Sequence, residues 1–225
     1  MELSILICSL VERKHLFERI YTTLNNQIIM NNLQSRVEIL YLIDNREKTT
    51  GAKRNELVNK SQGKYIAFVD DDDMVSEDYI IKTINAIQSN PDVCSLEGTI
   101  YFAGENPRKF FHSLKYKTWF EKNNMYYRNP NHLNCVKRDI ALLVPFKEVN
   151  FGEDKDYSMR LLKLLKTESE IKGNIYIYYY SEPLLTRNRQ TSKRVRNLTP
   201  NSTISPFLRK RINNILINKD NKKND

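Results

Sequence analysis

Four consecutive aspartates, Asp70, Asp71, Asp72 and Asp73, follow directly on the apolar run at 65–69 (YIAFV). Two like charges about 4 Å apart repel by roughly 4 kcal/mol at an effective dielectric near 20, so a cluster of this kind calls for a cation. Hard divalent ions such as Mn²⁺ or Mg²⁺ take carboxylate oxygens and retain sites for phosphate oxygens. In an extended segment, alternate side chains point the same way. That sets Asp70 and Asp72 toward one metal and turns Asp71 and Asp73 elsewhere. The competing account is an exposed acidic turn capping the next helix. A calcium loop of the EF-hand kind fits less well, because the D-x-D-x-D-G spacing and the closing Glu are missing. A second acidic stretch, Phe151-Gly152-Glu153-Asp154-Lys155-Asp156, opens a helical pattern. Its acids suit a helix N-terminus whatever else they do.

Strands and helices must alternate to place these groups. Residues 3–8 and 37–43 (VEILYLI) read as buried strands, the second ending at Asp44. Between them Leu16, Ile20 and Leu24 recur at helical spacing. Residues 52–60 form a short helix, and 65–69 a third buried strand. Ser76 is the expected N-cap of a helix carrying Ile80, Ile84 and Ile87, which Asn90-Pro91 ends. Another strand is expected at 93–96. Residues 99–135 are aromatic-rich and less regular, 153–167 are helical, and 175–180 (IYIYYY) read as a strand. The pattern predicts an α/β fold with a Rossmann-type, mostly parallel sheet flanked by helices. Ligands of such sheets bind beyond the carboxyl ends of the strands. Asp44 and Asp70, 26 positions apart, therefore share one rim.

A chain of 225 residues suits one domain with a small appendage. The net charge of +9 is uneven: from Lys193 onward nine basic and two acidic residues carry +7, leaving +2 for 1–192. The boundaries expected are a domain over 1–192 and a basic tail over 193–225. The opening MELSILICSL lacks a basic region and a cleavage site, so no signal peptide is expected. No apolar run reaches about 18 residues, so no membrane span is expected. With Cys8, Cys94 and Cys135 scattered and no metal spacing among them, free thiols in a reducing, cytoplasmic setting follow.

The stretch GAKRNELVNKSQGKYIAFVDDDDMVSEDYI resembles the donor-binding half of family 2 glycosyltransferases of the GT-A fold. The matching features are Arg54-Asn55, then Ser61-Gln62-Gly63-Lys64-Tyr65-Ile66, then a strand running into Asp70-Asp71-Asp72-Asp73. Thr23-Leu24-Asn25-Asn26-Gln27 is similar to the S-L-x-x-Q that ends the family's first helix. The resemblance implies a GT-A-like fold and a nucleotide-sugar donor, a UDP-sugar first among them. It implies Asp44 on the nucleobase, Arg54, Asp70 and Asp71 near the donor, and Asp72 with Asp70 on Mn²⁺ or Mg²⁺. Two segments depart from the family pattern: Ile7-Cys8-Ser9-Leu10-Val11 stands for I-P-x-Y-N, and Asp44-Asn45-Arg46-Glu47 for D-D-x-S.

The Glu153-Asp154 pair, followed by Asp156, Tyr157, Arg160 and Leu161, is similar to the family's G-E-D-x-D-[YLW]-x-x-R-L segment. The resemblance implies Asp154 as the general base of an inverting reaction and Glu153 as its acceptor-orienting neighbour. An attacking hydroxyl must shed its proton, and a carboxylate within about 3 Å takes it. His132, in Asn131-His132-Leu133, and Asp73 are the candidates for the acceptor side. The resemblance implies Arg187, in Arg187-Asn188-Arg189, near the diphosphate, with a solvated basic loop as the competing account.

Two other classes compete. A nucleotidyltransferase would also use paired aspartates with metals, but the Gly-rich phosphate loop such enzymes carry early in the chain is missing. A non-catalytic carbohydrate- or nucleic-acid-binding module would use the tail and the 13 Tyr. The acceptors compatible with the sequence are a glycan, a lipid-linked saccharide or a modified nucleic-acid base. The tail's expected partners are an anionic membrane surface, with the protein peripheral to it, or DNA. A merely solubilising tail is the competing account.

Overall fold

Every side chain of the run Leu3–Leu10 is buried or half-buried, which requires neighbours on both faces of the strand it forms, β1. The computed structural model describes residues 1–102 and 106–180. Met1–Tyr101 and Pro107–Tyr179 make one compact unit. Phe102 and Tyr180 fall to the second unit, where their rings pack with centroids 5.1 Å apart. The expected boundary at 192/193, the basic tail and Arg187 lie outside the described residues.

β1 pairs in parallel with β2 (Val37–Asp44) on one side and β3 (Tyr65–Phe68) on the other. β5 (Val93–Cys94), β10 (Val136–Lys137) and β11 (Glu168–Ser169) extend the sheet in the order β11-β5-β10-β3-β1-β2, with β10 antiparallel to both its neighbours. Helices α1 (Lys14–Met30) and α2 (Thr50–Lys60) pack on β1 and β2. Leu6 enters a core with Leu57 and Val58 of α2, Phe68, Phe146, Tyr157 and Leu161. The alternating residues Leu3, Ile5 and Ile7, fully buried, face the other way.

The aromatic stretch read as irregular is a second sheet. β4 (Met74–Val75), β6 (Leu96–Phe102), β7 (Arg108–His112), β8 (Phe120–Lys122), β9 (Met125–Arg128) and β12 (Tyr176–Tyr180) run in the order β4-β12-β6-β7-β9-β8. Its aromatics are cross-strand partners: Phe111 stacks on Tyr127 at 5.5 Å and Phe120 on Tyr127 at 5.0 Å. Pairs of this kind stabilise short strands that show little pattern along the chain.

Two helix ends differ from expectation. Helix α3 (Tyr79–Ile87) has Asp78, not Ser76, as its N-cap residue, and no side chain of its own caps it. Gln27 of α1 does so from 53 residues away, accepting from the Ile80 amide at 3.0 Å and donating to the Ser76 carbonyl at 2.9 Å. Helix α5 (Glu153–Leu161) stops short of 167. Asp92 accepts hydrogen bonds from the amides of Lys166 and Thr167, which pulls the chain out of the helix and into β11. The short α4 (Arg138–Leu142) lies against α2.

Gly51, at the start of α2, donates its amide to the Val149 carbonyl at 3.1 Å, and a Cβ there would lie 1.8 Å from the Lys147 carbonyl oxygen. The neighbouring Thr50 amide donates to Asn150 Oδ1 at 2.9 Å. This close approach fixes the loop leading into α5. Gly51→Ala should therefore cost about 1–3 kcal/mol, the usual range for forced overpacking, read as a lower urea midpoint. An unchanged midpoint would mean that the loop yields freely.

Candidate active site

The four aspartates do not continue β3 as an extended segment. The Asp73 amide donates to the Asp70 carbonyl at 3.2 Å, closing a turn. Each carboxylate consequently has its own surroundings, in place of the expected alternation. Asp70 accepts from Arg54 at 3.2 Å and lies 3.3 Å from His132 Nε2. Asp71 accepts from the Ser9 hydroxyl at 2.6 Å and pairs with Arg13, which reaches Asp72 at 2.7 Å as well. Arg19 donates to the Asp72 carbonyl at 2.9 Å. Asp73 is fully buried and accepts from the Tyr176 hydroxyl and the Tyr179 amide, each at 2.9 Å. Asp73 thus ties the turn to β12, and this burial moves it off the acceptor side where the sequence placed it.

These surroundings set the charge. Burial alone would raise the Asp70 carboxyl, but His132 and Arg54 outweigh it and hold Asp70 well below the usual carboxylate range. Burial pushes Asp71 up to about 6 against the opposing Ser9 and Arg13, and it raises Asp72 together with the charge of Asp70. Asp73, buried beside charged Asp70, is pushed up to about 9. Asp71 and Asp72 share the one guanidinium of Arg13, so a cation bound at this turn would add to the positive charge they face. Asp70 and Asp72 keep 29% and 33% of their side-chain surface exposed. Among the described residues no three His, Cys, Asp or Glu side chains form a ready-made metal cage. A divalent ion held there would take two carboxylates and complete its shell with phosphate and water, as Mg²⁺ commonly does.

Arg54 joins the two acidic segments. Its guanidinium, 4% exposed as a residue, binds Glu153 Oε1 at 2.7 Å and Asp70 Oδ1 at 3.2 Å. It sits over the rings of Phe68 and Phe146 at 5.6 and 5.4 Å. Glu153 is therefore a buried partner of Arg54, and the neighbouring Asp154 has the more open position. Gly152 sets up this pair from a φ of +81°, a left-handed conformation that glycine adopts without penalty. Asp70, Arg54, His132, Glu153 and Asp154 all line one cavity of about 230 Å³, walled on the far side by Phe110, Tyr126 and Arg128 of the second sheet.

Asp44 lies on the same rim, paired in register with Leu10 at the end of β1. It accepts from Lys53 Nζ at 2.7 Å and from the Lys48 amide at 2.9 Å. Lys53 also donates to the Ser9 carbonyl at 2.9 Å, tying β1, β2 and α2 together beneath the rim. Sequence reasoning missed Lys53, Arg13 and Tyr176. Lys53 precedes Arg54 in a segment already singled out, and Arg13 follows the first strand. Tyr176 sits inside an apolar run and carries no signal of its own.

The buried charges give a direct test. Arg54→Met leaves Glu153 and Asp70 without their cation and should cost about 3–5 kcal/mol, as removal of one partner of a buried pair does. Adding Glu153→Gln should restore part of it. Urea denaturation checks both, and a loss below about 1 kcal/mol would show that the pair is not sealed from water.

Three likenesses bear on identity. The sequence profile described as "Glycosyl transferase family 2" matches residues 4–142. An uncharacterized glycosyltransferase of Methanocaldococcus jannaschii, MJ1057, is 34% identical over 93 residues, covering 40% of this chain and 32% of that one. The structure of S. aureus TarS 1–349 in complex with UDP-GlcNAc aligns with a TM-score of 0.58 at 14% identity, over 81% of this chain and 59% of that one. The same protein in complex with UDP aligns with a TM-score of 0.58 at 15% identity, over 80% and 61%. The chain thus spans about a third of the archaeal relative and about three fifths of the TarS chains. The TarS likeness establishes a GT-A-like fold, with its two sheets flanked by helices. With more than half its length matched by the profile, the chain belongs to glycosyl transferase family 2.

Proposed function

We propose that this chain transfers a sugar from a nucleoside-diphosphate sugar, a UDP-sugar, to an acceptor hydroxyl with inversion at the anomeric carbon. The observation that carries the reading is that Asp70 of the aspartate turn and Asp154 of α5 line one cavity. Family membership supports the reaction class, and the UDP and UDP-GlcNAc bound by TarS support the donor class.

In this reading Asp44, at the tip of β2, accepts from the nucleobase, and the Lys53 ammonium keeps it charged. Asp72 and Asp70 hold Mn²⁺ or Mg²⁺, which when bound offsets the charge growing on the departing diphosphate. Arg54 holds Asp70 and Glu153 in place from below, and His132 fixes the second oxygen of Asp70. Asp154 accepts the proton of the attacking hydroxyl. The new bond forms between that oxygen and the anomeric carbon as the bond to the diphosphate breaks, so the nucleoside diphosphate leaves with the bonding electrons.

Thermal stabilisation by a panel of nucleoside diphosphates, with and without Mn²⁺, tests the donor half. At 100 times its dissociation constant a ligand adds about 2.7 kcal/mol. UDP should do so with Mn²⁺ on the wild type and fail on Asp72→Ala. Asp154→Asn should keep the UDP shift yet lose roughly 10²–10⁴-fold in turnover, the range for a general base. If no nucleoside diphosphate stabilises the wild type, the transferase reading fails.

A further inference from the structure

Two cations meet over one indole, and one of them lines the cavity. Arg128, the last residue of β9, lines the cavity and places its guanidinium carbon 4.5 Å from the centroid of the Trp119 ring. Lys155, in the first turn of α5, places Nζ 5.8 Å from the same centroid. Arg13, Lys53, Arg54, Lys147 and Arg160 each have a carboxylate within 4 Å. Among the described residues, Arg128 and Lys155 form no ion pair. Asp154 lines the same cavity, and its charge is felt by Arg128, but from beyond ion-pair distance. Burial pushes the Arg128 guanidinium below its ordinary value, with Tyr178 and Asp154 opposing. The Trp119 indole N–H is itself buried without a hydrogen-bond partner.

Shielding a cation from water without an acceptor is costly, and a ring beneath a guanidinium leaves the N–H edge open for a planar or tetrahedral oxyanion. We propose that Arg128 and Lys155, gathered on Trp119, bind an anionic group, phosphate or carboxylate, carried by the acceptor. The proposal rests on the transferase reading for the word acceptor. The donor diphosphate belongs at the aspartate turn of the first sheet, where Arg13 and a divalent ion supply the positive charge. Arg128 stands in the second sheet and shares its wall with Asp154, the group that meets the attacking hydroxyl. The acceptor class follows: a saccharide bearing an acid group close to the hydroxyl that is glycosylated.

Titration calorimetry on the full chain tests this with glucose 6-phosphate, glucuronate and glucose as probes. One of the two acids should bind at least tenfold more tightly than glucose, which also separates phosphate from carboxylate. Arg128→Gln should abolish that preference, and Lys155→Gln, at an exposed position, should weaken it severalfold without disturbing the fold. UDP affinity in Mn²⁺ should stay within twofold in both variants. Acids that bind no more tightly than glucose, or a preference that survives Arg128→Gln, would overturn the proposal. So would an equal fall in UDP affinity, which would give Arg128 to the donor diphosphate. Failure of UDP to bind the wild type would strike at the transferase reading, whatever the acids do.

Discussion

A single, almost wholly buried guanidinium holds together the two halves of the site. Arg54 projects from α2 over the rings of Phe68 and Phe146 and divides its donors between Asp70 and Glu153. Its charge, shielded by the two rings, is tolerable only because both carboxylates answer it. The same pairing compels the turn after β3 and the start of α5 to lie side by side, 99 residues apart between Arg54 and Glu153. The aspartate turn and the proposed base therefore cannot drift independently.

Charge balance explains the rest of the aspartate turn. Four carboxylates in one turn would repel one another if all were equally hydrated and ionised. The fold separates their tasks instead. Asp70 is kept ionised by Arg54 and His132, Asp71 and Asp72 share Arg13, and Asp73 is withdrawn into the core against Tyr176. Asp70 and Asp72 remain open enough to receive a ligand. The buried Asp73 has become part of the scaffold, joining the turn to the strand that leads into the second sheet.

That second sheet supplies what the first cannot. The parallel strands end in a rim of acids, whereas the cavity needs a far wall, and Phe110, Tyr126 and Arg128 provide it. The aromatic ladder of Phe111, Tyr127 and Phe120 holds the short strands in register. It thereby fixes where Arg128 and Trp119 meet Lys155.

Much of the first sheet was legible in the sequence, because its signals are local. The apolar runs of β1 and β3 are satisfied by burial on both faces, and the acids after β2 and β3 mark the rim of a parallel sheet. Asp44 and Asp70 were read in this way, Glu153 and Asp154 from the resemblance of their segment to the family's, and the order of motifs around Arg54 carried the family. What tertiary structure decided were the contacts between residues distant in sequence. Local pattern assigned Ser76 as a cap, but Gln27 from another helix does that work. It drew α5 through to 167, but Asp92 ends it by taking two backbone amides. It read the aspartates as an extended run, but the hydrogen bond from the Asp73 amide to the Asp70 carbonyl folds them into a turn. The second sheet was illegible because its strands are short and are stabilised by partners across the sheet, not by neighbours along the chain. Residue type and spacing determined which groups are present. Only packing decided which of them would be buried, paired or left facing the cavity, because burial and pairing are properties of the surroundings and not of the residue.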